Sequence, residues 1–204
     1  MEFDALAESW DTQRRIDRAK VIAKEIEEYV EIENTDIALE FGCGTGLVSF
    51  NLQNKFREID LIDSSHEMLD KLKIKINKYR LTNLNPILLD ITEKQELDKT
   101  YDVIYTSMAL HHIQDIDSII KYFHTQLAPR GRLCLVDLNI VSEMFHQQEK
   151  DFNGHHGFDI NSLKEILLRN GFLNIKSKTF YQSEKIVENH GIPYSLFIIV
   201  ANNK

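Results

Sequence analysis

The chain has 204 residues, 43% hydrophobic and 27% charged, with a formal net charge of −8. That length suits one core, and the acidic balance disfavours a nucleic-acid substrate, whose phosphates are held by basic faces. The two cysteines, Cys43 and Cys134, lie far apart, which argues against a disulfide framework or a thiolate metal site.

The start, Met1-Glu-Phe-Asp4, shows no signal-peptide pattern, and the longest apolar run, Leu196–Ala201, is too short to span a bilayer. A cytoplasmic protein without a membrane span is expected. Residues 1–31 read as an amino-terminal helical cap, since Ile16, Ala19, Ile22, Ala23, Ile26, Tyr29 and Val30 recur at intervals of three and four. Ile37–Phe41 is an apolar strand entering a glycine-rich loop, and Leu47–Leu52 continues as a helix. A second strand, Ile59–Ile62, ends at Asp63. Ser64-Ser-His-Glu67 has the form of a capping box and opens a helix with Met68, Leu69, Leu72, Ile76 and Tyr79 on one face.

A third strand, Ile87–Leu89, ends at Asp90, and a fourth runs from Tyr101 to Thr106. A helix through Ile116, Ile119, Ile120 and Phe123 follows, then a turn at Pro129-Arg-Gly131 and a fifth strand, Arg132–Val136. Residues 139–158 show no periodicity and are expected to form a lid. Asp159 caps a helix carrying Ile160, Leu163, Ile166 and Leu167, stopped by Asn170-Gly171. Phe172–Tyr181 and Tyr194–Ala201 then form an antiparallel pair at one edge. With no linker, repeat or low-complexity stretch, residues 1–204 are expected to be a single domain.

Strands alternating with amphipathic helices imply a parallel sheet covered on both faces, and such sheets bind ligands at the carboxyl ends of their strands. Asp63, Asp90, Ser107 and the loop 42–46 would share that rim. The spacing Gly42-x-Gly44-x-Gly46 differs from a dinucleotide fingerprint, which would place a glycine at Leu47, and no Gly-Lys-Ser/Thr of a phosphate-binding loop follows.

Leu39-Glu-Phe-Gly-Cys-Gly-Thr-Gly46 resembles the first motif of class I S-adenosylmethionine-dependent methyltransferases. Phe3–Asp11 is similar to the amino-terminal segment of small-molecule members related to the ubiquinone/menaquinone-biosynthesis type. Leu61-Ile-Asp63, Leu89-Asp-Ile91, Ser107–Ile113 and Leu127–Arg132 match later motifs in order and spacing. The resemblance implies an α/β fold: a Rossmann-like seven-stranded mostly parallel sheet with an antiparallel last hairpin and helices on both faces.

The resemblance also implies roles. Gly42, Gly44 and Gly46, with Cys43 between them, bring backbone against the methionine part of S-adenosyl-L-methionine, whose carboxylate suits helix-terminal N–H groups. Glu40 holds the ammonium or orients the loop. Asp63 accepts from both ribose hydroxyls. Ser64 and Met68 flank ribose and adenine, Asp90 accepts from the adenine amino group, and Ile91 packs on the ring. Ser107 and Met108 line the floor near the sulfonium, and Trp10 covers the pocket if the amino-terminal segment folds over it.

The cofactor carries the hard chemistry of methyl transfer, so the protein needs a base only where the acceptor arrives protonated. His111, His112, His155 and His156 are the candidates, because they fall after the fourth strand or in the presumed lid. No acidic ligand set accompanies them, so no metal is expected. No Asn-Pro-Pro-Tyr or Asp-Pro-Pro-Tyr follows the fourth strand, and no Pro-Cys nucleophile is present. The expected acceptor is a small molecule, methylated on O, N, S or C, without nucleic acid or membrane. A methyltransferase acting on protein or RNA, and a non-catalytic cofactor-binding protein, are the alternatives.

Overall fold

The computed structural model describes residues 2–90, 97–149 and 152–204. Its strands are β1 (Ile37–Phe41), β2 (Glu58–Asp63), β3 (Leu84–Leu88), β4 (Tyr101–Ser107), β5 (Leu127–Leu138), β6 (Leu173–Val187) and β7 (His190–Asn202). They form one sheet in the order β3-β2-β1-β4-β5-β7-β6. The first five strands are parallel, and β7 runs antiparallel to both β5 and β6. The expected architecture, with its antiparallel last hairpin, is therefore the observed one.

Each central strand is apolar on both faces. In β1, Ala38 joins one core cluster and Leu39 and Phe41 the other. The first cluster is covered by α2 (Gln13–Tyr29), which buries Ala19, Ile22, Ala23 and Ile26, and by α4 (His66–Tyr79). The second is covered by α5 (Ile116–Gln126) and α6 (Ile160–Arg169). Helix starts follow local chemistry: Thr12, Ser65, Asp115 and Asp159 each accept a hydrogen bond from a backbone N–H three residues on.

Several local expectations are corrected. The helix after the glycine loop, α3, is the single turn Ser49–Leu52. The cap of α4 is Ser65 rather than Ser64, because Asp63 accepts from the Ser65 N–H at 2.9 Å and turns the chain one residue later. Strand β3 begins at Leu84 and ends before Leu89; Pro86 is tolerated because β3 is an edge strand. Strand β5 runs through the predicted turn at 129–131, with Arg130 at φ +62° and a register break opposite Tyr101/Val103 absorbing the irregularity.

The last hairpin is longer than its apolar segments. Its two-residue turn, Glu188-Asn189, has positive φ at both positions, which suits the twist of the strands. β5 pairs with β7 only over residues 196–202, so the hairpin from Tyr181 to Ser195 extends past the end of β5. It meets the segment 139–149, where Lys185 Nζ donates to the Phe145 carbonyl at 2.6 Å and pairs with Glu149 at 3.0 Å.

The amino-terminal part is not one helix. A short α1 (Glu2–Leu6) and a turn at Ala7–Ser9 precede α2 and lie across α4. Ser65 Oγ donates to Asp4 at 2.6 Å, Lys71 pairs with Glu8, and Lys75 pairs with Asp11 at 2.8 Å. These contacts make residues 2–12 a strap.

Candidate active site

The sheet order reverses between β1 and β4, which opens a crevice at their carboxyl ends. Gly42 enters this crevice at φ +67°, and a Cβ there would sit 2.3 Å from Ala109 Cβ. Only glycine allows the loop to lie so close to the exit of β4. Met108, next to that exit, has φ +57°, an uncommon conformation for a side-chain-bearing residue at the floor of the crevice.

Two adjoining cavities occupy the crevice. Asp63, Ser64, Met68 and Asp90 border the first, while Glu40, Cys43 and Ser107 border the second; Trp10, Gly42, Gly44 and Met108 border both. Thus most residues expected to hold the cofactor come together. Gly46 borders neither, and its hydrogen-only side admits Leu72 of α4, whose Cδ1 would lie 2.6 Å from a Cβ. Ile91 lies outside the described residues.

At the first end, Asp63 Oδ2 accepts from the Gly44 N–H at 2.7 Å and Oδ1 from the Ser65 N–H. Each oxygen keeps a second lone pair for a sugar hydroxyl. Burial raises the Asp63 pKa, and those two backbone donors partly counter it. At the second end, Glu40 is 2% exposed and accepts from Ser49 Oγ, which is 2.5 Å from the Tyr105 hydroxyl. Burial pushes the Glu40 carboxyl up to about 8, tempered by the Ser49 hydrogen bond.

Arg15 and Arg18 of α2 also border the second cavity, and motif spacing did not reveal them. The sequence reading placed the methionine carboxylate on the N-terminus of the following helix. With α3 reduced to one turn, the positive charge at that end comes from α2 instead. The signal available was the run Arg14, Arg15, Arg18 beside the buried stripe of Ala19 and Ile22.

The strap roofs the crevice. Phe3 meets Trp10 at 5.9 Å and His112 at 5.0 Å between ring centres. The Arg15 guanidinium lies 3.9 Å from the centre of the Trp10 ring, and its Nη1 donates to the Trp10 carbonyl at 3.2 Å.

The four candidate histidines separate. His112 borders the first cavity, and burial, aided by the charge of His111, lowers its pKa to about 3. It is a neutral imidazole at physiological pH. His111 is buried behind it, with Nδ1 2.6 Å from Oδ1 of the fully buried Asp137. His155 Nε2 sits 3.1 Å from the Gln114 carbonyl, and its N–H donates to the His111 carbonyl at 2.7 Å. His156 pairs with His146 at 3.1 Å, and both border a separate surface groove beside Phe152. Neither His155 nor His156 borders the two cavities. No group of three or more His, Cys, Asp or Glu among the described residues could hold a metal ion.

The order of charges suits the expected cofactor. Arg15, Arg18 and Glu40 stand at one end and Asp63 and Asp90 at the other, with Gly42 and Gly44 between them. A family model described as "Methyltransferase domain" matches residues 13–177. The chain belongs to the methyltransferase-domain family. It is a methyltransferase domain.

The methyltransferase is 35% identical over 133 residues to malonyl-[acyl-carrier protein] O-methyltransferase 2 of Ilyobacter polytropus, covering 63% of this chain and 49% of that protein. It is 28% identical to (S)-tetrahydroprotoberberine N-methyltransferase of Eschscholzia californica, covering 73% and 40%. It spans half or less of the length of these relatives. Its fold superposes on Haemonchus contortus phosphoethanolamine N-methyltransferase 2 in complex with S-adenosyl-L-methionine, with TM-score 0.75 and 14% identity over 100% of this chain and 60% of that one. The Bacillus subtilis YcgJ protein gives TM-score 0.73 at 13% identity, covering 89% and 97%. No helix among the described residues is long and apolar enough to cross a membrane.

Proposed function

We propose that this domain methylates a small molecule. The strap supports that reading: Phe3, Trp10 and His112 line the first cavity beside Met108 and cover part of the rim from which an acceptor would approach. The malonyl and tetrahydroprotoberberine names of two relatives support it. Residues 1–204 act as one domain, with the strap and the segment 139–158 as covers. Two buried free cysteines support a cytoplasmic setting.

In this reading Arg15 pairs with the methionine carboxylate, Glu40 and the loop 42–44 face its ammonium, Asp63 accepts from the ribose, and Asp90 meets the adenine. Bound there, S-adenosylmethionine supplies a methyl group already activated by its sulfonium. The protein aligns the acceptor atom with that carbon and excludes water through the Phe3–Trp10 roof. His112, neutral and at the cavity wall, is placed to hydrogen-bond the acceptor's hydroxyl, thiol or amine rather than to take its proton.

The test is a thermal-shift titration with S-adenosylmethionine, S-adenosylhomocysteine and NAD, because a ligand of the native state raises the melting temperature by mass action. Stabilisation by the first two supports the reading. Stabilisation by NAD alone overturns it.

A further inference from the structure

The projecting half of the last hairpin touches both covers of the crevice. On the strap side, the Arg14 guanidinium donates to the Glu184 carbonyl and, at 3.4 Å, to the Tyr194 hydroxyl. The next residue, Arg15, is the one that stacks on Trp10 of the strap. On the other side, Lys185 donates to the Phe145 carbonyl, pairs with Glu149 and lies 4.4 Å from the centre of the Phe145 ring. Tyr194 packs on the same ring at 5.2 Å, and Phe145 belongs to the turn Glu143–His146.

From that turn the contacts lead back to the strap. His146 stacks on Phe152 at 3.9 Å, Phe152 meets His112 at 5.7 Å, and His112 meets Phe3 at 5.0 Å between ring centres. Strap, hairpin and turn therefore form a closed circuit of contacts, and His112 carries that circuit past the first cavity.

The hairpin is the link in this circuit with the least support from the sheet. β7 pairs with β5 only from Leu196 onward, so residues 181–195 are a ribbon of two strands. Two strands alone are marginal in water, and a weakly supported element of this kind opens as a unit. The register shift between Thr179 and Tyr181 lies where the ribbon leaves the sheet, and an irregularity there interrupts the ladder. The order of the ribbon comes from the elements it lies on. Val187, Ile192 and Tyr194 are buried in one core cluster with Phe145, while Arg14 and Lys185 clasp the ribbon to α2 and to the turn.

We propose that this ribbon couples the two covers, so that the strap and the segment 143–149 loosen together. Releasing either clasp removes support from the ribbon and, through it, the hold on the far cover. The first turn of α2 passes the effect to the strap, because Arg14 grips the ribbon and Arg15 grips Trp10. By linkage the coupling runs equally in both directions. The proposal rests on the methyltransferase reading above for what the covers enclose, and adds that the donor and acceptor sides open as one.

Hydrogen exchange of the full chain, followed by mass spectrometry with and without S-adenosylhomocysteine, tests it. Each variant is read at the cover it does not touch. Lys185→Met keeps the aliphatic stem on Phe145 and removes the ammonium, and Lys185 borders neither cavity. Exchange in residues 2–12 should quicken about fivefold or more, the low end of a coupling of this kind, while β1 and β4 keep their rates. Arg14→Gln should quicken exchange in residues 143–149 likewise, which preserves the test if Lys185→Met fails to fold. S-adenosylhomocysteine should slow exchange in residues 143–149 of the native chain, and that distant effect should vanish in Lys185→Met.

The proposal is overturned if Lys185→Met quickens exchange at 143–149 and leaves the strap unchanged, or if the rise extends equally to β1 and β4. If S-adenosylhomocysteine protects no segment, the methyltransferase reading fails, while the two variants still decide the coupling.

Discussion

The Arg15 guanidinium stacks on Trp10, 3.9 Å from the ring centre, and both side chains border the second cavity. The contact joins the strap to α2 at the point where the methionine end of the cofactor is expected. Trp10→Ala removes the stacking face as well as the roof, and cofactor affinity should fall about tenfold by the scale of a partly desolvated cation–π pair. Trp10→Phe should recover part of it. Calorimetry with S-adenosylhomocysteine decides; unchanged affinity removes Trp10 from the site.

Glu40 gives a pH signature. Its folded-state pKa, raised to about 8 by burial, exceeds the ordinary carboxylate value of 4.5, so the folded state holds a proton that the unfolded state has released. Stability from this group is therefore full below pH 4.5 and declines as pH rises toward 8. Glu40→Gln should flatten the fall in melting temperature across that window. A cofactor ammonium facing Glu40 favours the carboxylate, so cofactor affinity should rise with pH in the native protein and not in the variant. Parallel pH profiles for the two proteins would refute both statements.

Gly42 and Ala109 form a steric pair. Gly42→Ala should weaken cofactor binding and lower stability, because the new methyl meets Ala109 at 2.3 Å while φ stays positive. Ala109→Gly in the same chain relieves the clash but not the backbone cost of about 1–2 kcal/mol. A double-mutant cycle by urea denaturation should thus show partial rescue. Full additivity would mean the two residues do not touch.

The Asp137 carboxylate accepts from the His111 and Leu138 N–H groups as well as facing the His111 ring. Asp137→Ala leaves these groups buried without a partner and should cost about 3–5 kcal/mol. Asp137→Asn, which retains one acceptor oxygen, should cost less. Urea melts of both variants settle the order, and a loss under about 1 kcal/mol for alanine would show the pair to be no stronger than a surface contact.

The central strands and the glycine rim were legible in the sequence because apolar alternation and turn residues act locally. Asp63 and Asp90 could be placed on one rim from strand order alone. Arg15 and Arg18 could not, since their role depends on α2 crossing the loop from more than twenty residues away in the chain. Asp137 likewise meets His111 only through the pairing of β4 with β5. The outer half of the last hairpin was missed for a different reason. Gln182–Lys185 is polar, and Glu188-Asn189 turns without the glycine that usually marks such a bend.

The strap has a kinetic consequence. Its hold on α4 runs through Asp4–Ser65, Glu8–Lys71 and Asp11–Lys75, and both ion pairs have at least one partly exposed member. Salt screens exposed pairs of this kind. Exchange of spent cofactor should therefore quicken with ionic strength even where equilibrium affinity changes little. Stopped-flow displacement of S-adenosylhomocysteine, followed by Trp10 fluorescence, would show the release rate climbing with added salt, and a chain lacking residues 1–9 would release it fast at every salt concentration.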